Sequence, residues 1–267
     1  MLSPATMNDI IFQAIIPFIL SALIVILIMY IAERYGTKTG GIFGTLPSTI
    51  VIAFIFIAIN KGVKFASQSV AVVPAELGIN ILFLFLFSIL AKRSIPLAFI
   101  VSITVWTIFS SMLVIFNIIN IYLSILIFFI SLVLTFTTLE VFKKIPSIGN
   151  VIVHYTKRKI AFRGVLAGFI IAISVMLSNV GAVISGIFSV FPAILTSTML
   201  IASREHGPDF AAGMAKSMIL GISSVMCYAT MIHFFYPLYG IVWGSVYAYI
   251  ISIIVTLIIF KYRAKIK

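Results

Sequence analysis

Acidic side chains are scarce here, six among 267 residues, so each one that falls in an apolar stretch is a candidate for chemistry. Glu76 is the clearest, with Pro74 just before it and Asn80 four residues on. Residues at i and i+4 share one face of a helix. A carboxylate beside an amide on such a face can bind a cation or carry a proton, and ionisable groups within a membrane usually mark function. The plainer reading, preferred on sequence alone, leaves Glu76 near the outer end of its apolar run. There it is hydrated by headgroups or paired with Lys61 or Lys64.

A second constellation is the turn Arg204-Glu205-His206-Gly207-Pro208-Asp209. Glu205 and Asp209 can neutralise Arg204 and Lys216, and His206 titrates near physiological pH. The turn could act as an inner gate or a proton-linked latch, or simply be a solvated polar hairpin. His233 and the aromatics Phe234, Phe235, Tyr236, Tyr239 and Trp243 gather at another boundary, where an interfacial belt is the default explanation.

The third feature is a repeated turn. Gly41-Ile42-Phe43 with Pro47 recurs as Gly186-Ile187-Phe188 with Pro192, an offset of 145 residues. The same offset sets Gly36 on Gly181, and Gly62, Phe65 and Ala66 on Gly207, Phe210 and Ala211. Residues 18–78 share eleven identities with 163–223, and the coincidence of Gly, Pro and Phe in one register points to an internal duplication. A proline inside a helix frees the carbonyl four residues earlier, here that of Phe43 or Phe188. Such a carbonyl must meet protein, water or ligand in a membrane. Candidate path-lining residues are therefore Phe43, Pro47, Ser48 and Thr49 in one copy, and Phe188, Ser189, Pro192, Thr196 and Ser197 in the other. A proline kink satisfied by Ser and Thr back-bonding explains the same residues equally well.

The elements that carry these residues follow from composition. Hydrophobic residues make up 63% and charged residues 9%, with a mean hydropathy of +1.28. The apolar residues fall in runs long enough to cross a hydrocarbon core. They are continuous rather than alternating, which excludes an outer-membrane barrel. The net charge of +12 is scattered through short loops, so no nucleic-acid partner is expected. The single cysteine, Cys227, rules out an intrachain disulfide. No cleavable signal is evident, since the first nine residues lack Lys and Arg.

The runs predict an all-α polytopic membrane protein of about nine transmembrane helices. They divide into a first four-helix repeat at 11–116, a linker helix at 119–139, a cytoplasmic connector at 140–162 and a second four-helix repeat at 163–260. Sixteen of the eighteen Lys and Arg residues then fall on one side, leaving only Lys61 and Lys64 opposite. The positive-inside rule puts the N-terminus outside and the C-terminus in the cytoplasm, in the cell membrane. One odd helix between two four-span copies makes them inverted-topology repeats, the arrangement of many secondary transporters. The expected function is a secondary transporter or channel for a small solute or ion, with its site between kinked helices 41–60 and 183–203. The alternative is a scaffold or accessory subunit of an envelope-biosynthesis system. Walker, Rossmann, paired-histidine and cysteine-cluster motifs are absent from the sequence. No enzymatic activity, catalytic residue, metal site or cofactor is expected. The lipid bilayer is the expected partner, and homo-oligomer formation stays open.

The stretch from Ser185 to Gly207 resembles the GlpM-like family of small, about four-span membrane proteins. Gly186, Phe191, Pro192, Glu205 and Gly207 carry the resemblance, preceded by a short span beginning at Arg163-Gly164. It covers roughly 160–260 and reaches the first half weakly through the repeat. Met199 stands where the pattern has a histidine, and His206 where it tends to have arginine. The resemblance implies a four-span unit, here fused to an inverted second copy through one extra helix, and implies no substrate.

Overall fold

The computed structural model describes residues 10–44, 46–143, 145 and 156–263; the side chains of 31–44, 260, 262 and 263 lie outside that description. Residues 144 and 146–155 of the expected connector, together with the first nine residues, Thr45 and the last four residues, fall outside it.

Every regular element among the described residues is helical. A π-turn at Ile11–Ile15 leads into α1 (Ile16–Gly44). Next come α2 (Ser48–Lys61), α3 (Val63–Val70), α4 (Val73–Leu90), α5 (Ile95–Ile115) and α6 (Ile121–Thr137), the last ending in a π-turn at Thr138–Phe142. The second half holds α7 (Lys157–Leu177), α8 (Ala182–Ser189), α9 (Ala193–His206) and α10 (Pro208–Arg263). Among the described residues seven helical segments are long and apolar enough to cross a bilayer. One of them, within α10, is 52 residues long and turns at Gly240, where φ is 72°. The apolar α2 is shorter, at 14 residues. The chain is an integral membrane protein by this criterion.

Burial sets the order of the layers. In the most apolar stretch of the α3–α4 run 83% of the residues are buried, against 28% for α5 and 22% for the run of α6, which expose Ile100, Phe109, Tyr122 and Leu134. A soluble protein would carry polar residues on such faces; apolar ones suit lipid. Helix α4 is thus the inner element, packed by α5, α6 and α10. Small residues allow the close fit, since hydrocarbon gives helices no hydrophobic reason to associate. A Cβ on Gly78 of α4 would lie 3.1 Å from the Phe128 Cα and 3.2 Å from the Ser131 hydroxyl of α6.

The two halves end their helices alike. Helices α2 and α9 are each 14 residues long and start 145 positions apart, directly after Pro47 and Pro192. Both prolines have φ of −76°. Ser48 N–H reaches the Leu46 carbonyl at 2.8 Å, as Ala193 N–H reaches that of Phe191 at 2.8 Å. Both helices terminate on a glycine of positive φ, 86° at Gly62 and 87° at Gly207, a conformation that an L side chain strains to adopt. Helices α1 and α7, also equivalent by the offset, pack antiparallel. Gly168 of α7 lies against Phe18, Gly164 against Ala22 and Ile26, and Ile160 groups with Met29.

The halves differ where α1 runs through Gly36 to Gly44 without interruption, while its counterpart breaks at Ser178–Gly181 into α7 and α8. Reciprocal bonds staple that break: Ser174 Oγ donates to the Ser185 carbonyl at 2.9 Å and Ser185 Oγ to that of Ser174 at 2.8 Å.

Candidate functional site

The buried polar residues of α4 and α5 form a short antiparallel ladder. Glu76 and Asn80 face α5 from one side, and Trp106 and Ser110, also four apart, face them from the other. Ser110 Oγ donates to Glu76 Oε1 at 3.0 Å, and Trp106 Nε1 donates to Asn80 Oδ1 at 3.0 Å. The indole N–H also lies beside the Glu76 carboxyl. Glu76 is wholly buried and Asn80 is 1% exposed. Glu76 Oε2 has no hydrogen-bond partner, in a surrounding where each unsatisfied polar atom is costly.

Asn80 also spans the two halves of the molecule. Its Nδ2 donates at 2.7 Å to the carbonyl of Val190, in the break between α8 and α9. With Oδ1 facing an N–H and Nδ2 facing a carbonyl, only one orientation of the amide satisfies both partners. The break is packed by aromatics, Phe191 meeting Trp106 edge-on at 4.9 Å and Phe188 stacking on Phe191 at 5.8 Å. Beside it Ser69 Oγ donates to the Ala182 carbonyl at 2.7 Å. Gly186 lies so close to α3 that a Cβ there would be 2.1 Å from the Ser69 carbonyl oxygen.

This geometry revises several sequence expectations. Glu76 is bonded to Ser110 rather than hydrated or paired with Lys61 or Lys64, because α3 continues the helical run on its Lys61–Lys64 side. Pro192 caps a helix instead of kinking one, and Pro47 does the same in the first half. The Phe188 carbonyl consequently keeps a partner, the Phe191 N–H at 3.2 Å. The carbonyl left over is that of Val190, and it is met by an amide from the other half.

The path-lining residues named from the repeat are dispersed. Ser189 and Ser197 are buried and spend their hydroxyls on the Gly186 and Ile194 carbonyls of their own helices, at 2.6 and 3.0 Å. Pro47 and Pro192 are buried, and Ser48, Thr49, Phe188 and Thr196 are half-buried. Phe43 belongs to α1, with its side chain outside the described residues. The side chains that meet the second turn come from Ser69 to Trp106, rather than from the first turn. Trp106, Ser110, Val190 and Phe191 were missing from the sequence reading as polar-site or bridging residues. A Trp and a Ser four apart, opposite a Glu and an Asn four apart, are a detectable signal. A backbone carbonyl leaves none.

The turn after α9 is tied differently from expectation. Glu205 pairs with Lys159 of α7 rather than Arg204, Asp209 with Lys92 at 2.6 Å, and Lys216 with Glu140. Lys216 Nζ also donates to the Ile145 carbonyl at 2.8 Å. Each cation comes from an element that reaches the basic face independently, so proximity rather than sequence neighbourhood selects the partner. His206 is exposed and rests against Phe210 at 4.6 Å. The aromatic boundary is mixed. Phe234, Tyr239 and Trp243 are exposed, whereas Tyr236 is buried and bonded to Ser245 at 2.9 Å. His233 Nδ1 meets the Ser67 carbonyl at 2.7 Å.

No protein-family model, curated protein or solved structure matches this chain. The resemblance to the GlpM-like family therefore rests on the quoted residues alone. Among the described residues no group of three or more His, Cys, Asp or Glu side chains could hold a metal ion.

Proposed function

We propose that this chain is a secondary transporter or channel for a small solute or ion, built as two inverted-topology four-helix repeats joined by the linker helix α6. Counting the two arms of α10 separately and including α2 gives nine spans in this reading, with the N-terminus outside the cell membrane and the C-terminus in the cytoplasm. The antiparallel packing of α1 with α7 supports the inversion, because equivalent helices of parallel repeats would run the same way. So do the matched ends of α2 and α9. Within this reading each half is one GlpM-like unit.

One observation carries the functional reading: Asn80 of the first half holds the Val190 carbonyl in the broken helix of the second. Irregular backbone at membrane depth belongs where protein or a cavity can satisfy it, and broken helices at a repeat interface are where transporters bind. A side-chain amide that bridges the halves at the broken helix is a contact that a relative movement would break and remake.

The test uses the purified full chain in liposomes and a panel of monovalent cations, monovalent anions, amino acids and monocarboxylates. Saturable uptake of at least one, absent from empty liposomes, is expected. Single cysteines at Phe188 and Phe191, in a Cys227→Ala background, should also react with a water-soluble maleimide. No uptake, with both cysteines closed from either side, would overturn the transport reading in favour of a scaffold.

A further inference from the structure

We propose that the ion handled at this site is a proton, carried on Glu76 Oε2, and not a metal cation; the inference rests on the transport reading above. Hard cations take about six oxygen ligands. The oxygens gathered here are already committed to donors. Glu76 Oε1 accepts from Ser110, Asn80 Oδ1 accepts from Trp106, and the Val190 carbonyl accepts from Asn80 Nδ2. Even if a cation shared these three oxygens with their donors and added Oε2 and the Ser110 hydroxyl, it would find five oxygens, each of the first three already holding an N–H or O–H. Oε2 has no hydrogen-bond partner, and one oxygen suffices for a proton.

Among the described residues no charged side chain faces the carboxyl as a counter-ion. On its own run, Lys64 is exposed at the far end of α3. Helix α5 brings only Ser110 and the indole of Trp106, and α8 and α9 bring Val190 and Phe191 through their break. Helix α6 has no Asp, Glu, Lys, Arg or His between Ile121 and Thr137, and its Tyr122 is 71% exposed. Helix α10 contributes Lys216, tied to Glu140; His233, tied to Ser67; and Tyr236, tied to Ser245. Its Tyr228 is buried with no hydrogen-bond partner for the hydroxyl, and Tyr249 lies against Tyr228 with ring centroids 6.4 Å apart. The arginine and glutamate of the α7–α9 contact bond to Thr198 and Lys159. Apart from Ser110 and the neighbouring indole of Trp106, none of these side chains is bonded to Glu76.

Binding is a one-proton step: the carboxylate takes H⁺ on Oε2, one negative charge disappears, and the new O–H becomes a donor four residues from Asn80, which bridges the halves. The same four-residue spacing in the second half holds Gly221 and Val225, so the site exists once per chain.

The experiment combines infrared spectroscopy of the full chain in lipid with proton flux into pyranine-loaded liposomes under a potassium diffusion potential. A carboxylic-acid C=O band is expected that titrates with pH, shifts in D₂O and vanishes in Glu76→Gln. Sodium, potassium or magnesium should leave it unmoved. Ser110→Ala keeps the carboxyl and removes its donor, so it should shift the band without abolishing it, which covers the case in which Glu76→Gln does not fold. Proton entry should fall to the rate of empty liposomes in Glu76→Gln. A band that any of the three cations displaces, or no titrating band assignable to Glu76, would overturn the proton assignment while leaving solute uptake free to stand. A titrating band without any uptake or proton entry would instead remove the transport reading.

Discussion

Replacing Asn80 by Leu keeps roughly the same volume and deletes the bridge between the halves. Two partners lose their bonds, the Trp106 indole N–H and the Val190 carbonyl. In water-soluble proteins each buried orphan would cost about 1–3 kcal/mol. Inside a membrane the unfolded reference state also finds partners, and measured bonds average about 0.6 kcal/mol with a maximum of about 1.7. The second scale governs here, so Asn80→Leu should destabilise by about 1.2–3.4 kcal/mol, twice those values. Trp106→Phe removes one donor and should cost about 0.6–1.7 kcal/mol for the bond, plus the packing lost against Phe191. The double variant should be less destabilised than the sum by the worth of the shared bond, again about 0.6–1.7 kcal/mol. Asn80→Asp should be no milder than Leu, because an acceptor would then face the Val190 carbonyl and a second carboxyl would sit one turn from Glu76. Reversible unfolding in mixed micelles, followed by helical circular dichroism across an SDS titration, measures all four proteins. Additivity of the two single changes would refute the Asn80–Trp106 bond, and a neutral Asn80→Leu would refute the bridge.

Four further outcomes are expected. Gly186→Ala should cost at least about 1–3 kcal/mol, because its Cβ would meet the Ser69 carbonyl backbone, whereas Gly181→Ala, with open space around it, should stay within about 0.5; the same SDS titration compares them. Glu140→Gln should destabilise by about 1–3 kcal/mol by stranding the buried Lys216, a loss smaller than for a fully enclosed pair because Glu140 is partly exposed. Asp209→Asn should cost under about 1 kcal/mol and matter less as salt rises, since Lys92 and Asp209 are both exposed. Single cysteines at Lys64 and Lys157, without Cys227, should be labelled from opposite sides of oriented vesicles; labelling of both from one side would contradict the inverted arrangement.

The features that could be read from sequence are those written in side chains. Hydropathy located most of the helical runs, and Gly62 and Gly207 marked the ends of α2 and α9, since a left-handed backbone selects glycine. Pro47 and Pro192 announced a disturbance in each half. Their sequence did not say whether a helix bends through the proline or restarts after it, because both outcomes remove the same N–H. The polar residues Lys64, Ser67, Gln68 and Ser69 hid α3, whose Lys64 and Gln68 are exposed while Ser67 and Ser69 are buried. Without α3, Glu76 stood near a span end, and a hydrated carboxylate was the natural expectation. The Asn80–Val190 bond was out of reach for another reason: any residue can lend a carbonyl, and this one lies 110 positions away.

That separation also bears on how the protein is made. The bonds of Glu76 to Ser110 and Asn80 to Trp106 close within 34 and 26 residues, so they can form soon after α5 is inserted. Asn80 Nδ2 and Ser69 Oγ must wait for acceptors 110 and 113 residues downstream. At 5–20 residues per second the ribosome needs roughly 6–22 s to deliver them. Through that interval the nascent first half sits in the bilayer with an open seam of donors and with the surface of α3 that Gly186 will later cover. Water, headgroups or the insertion machinery must hold those donors until α8 arrives. The amide that joins the finished halves thus leaves the unfinished chain with an unpaired donor, and the time it spends so exposed is set by the whole length of chain from α5 through α8.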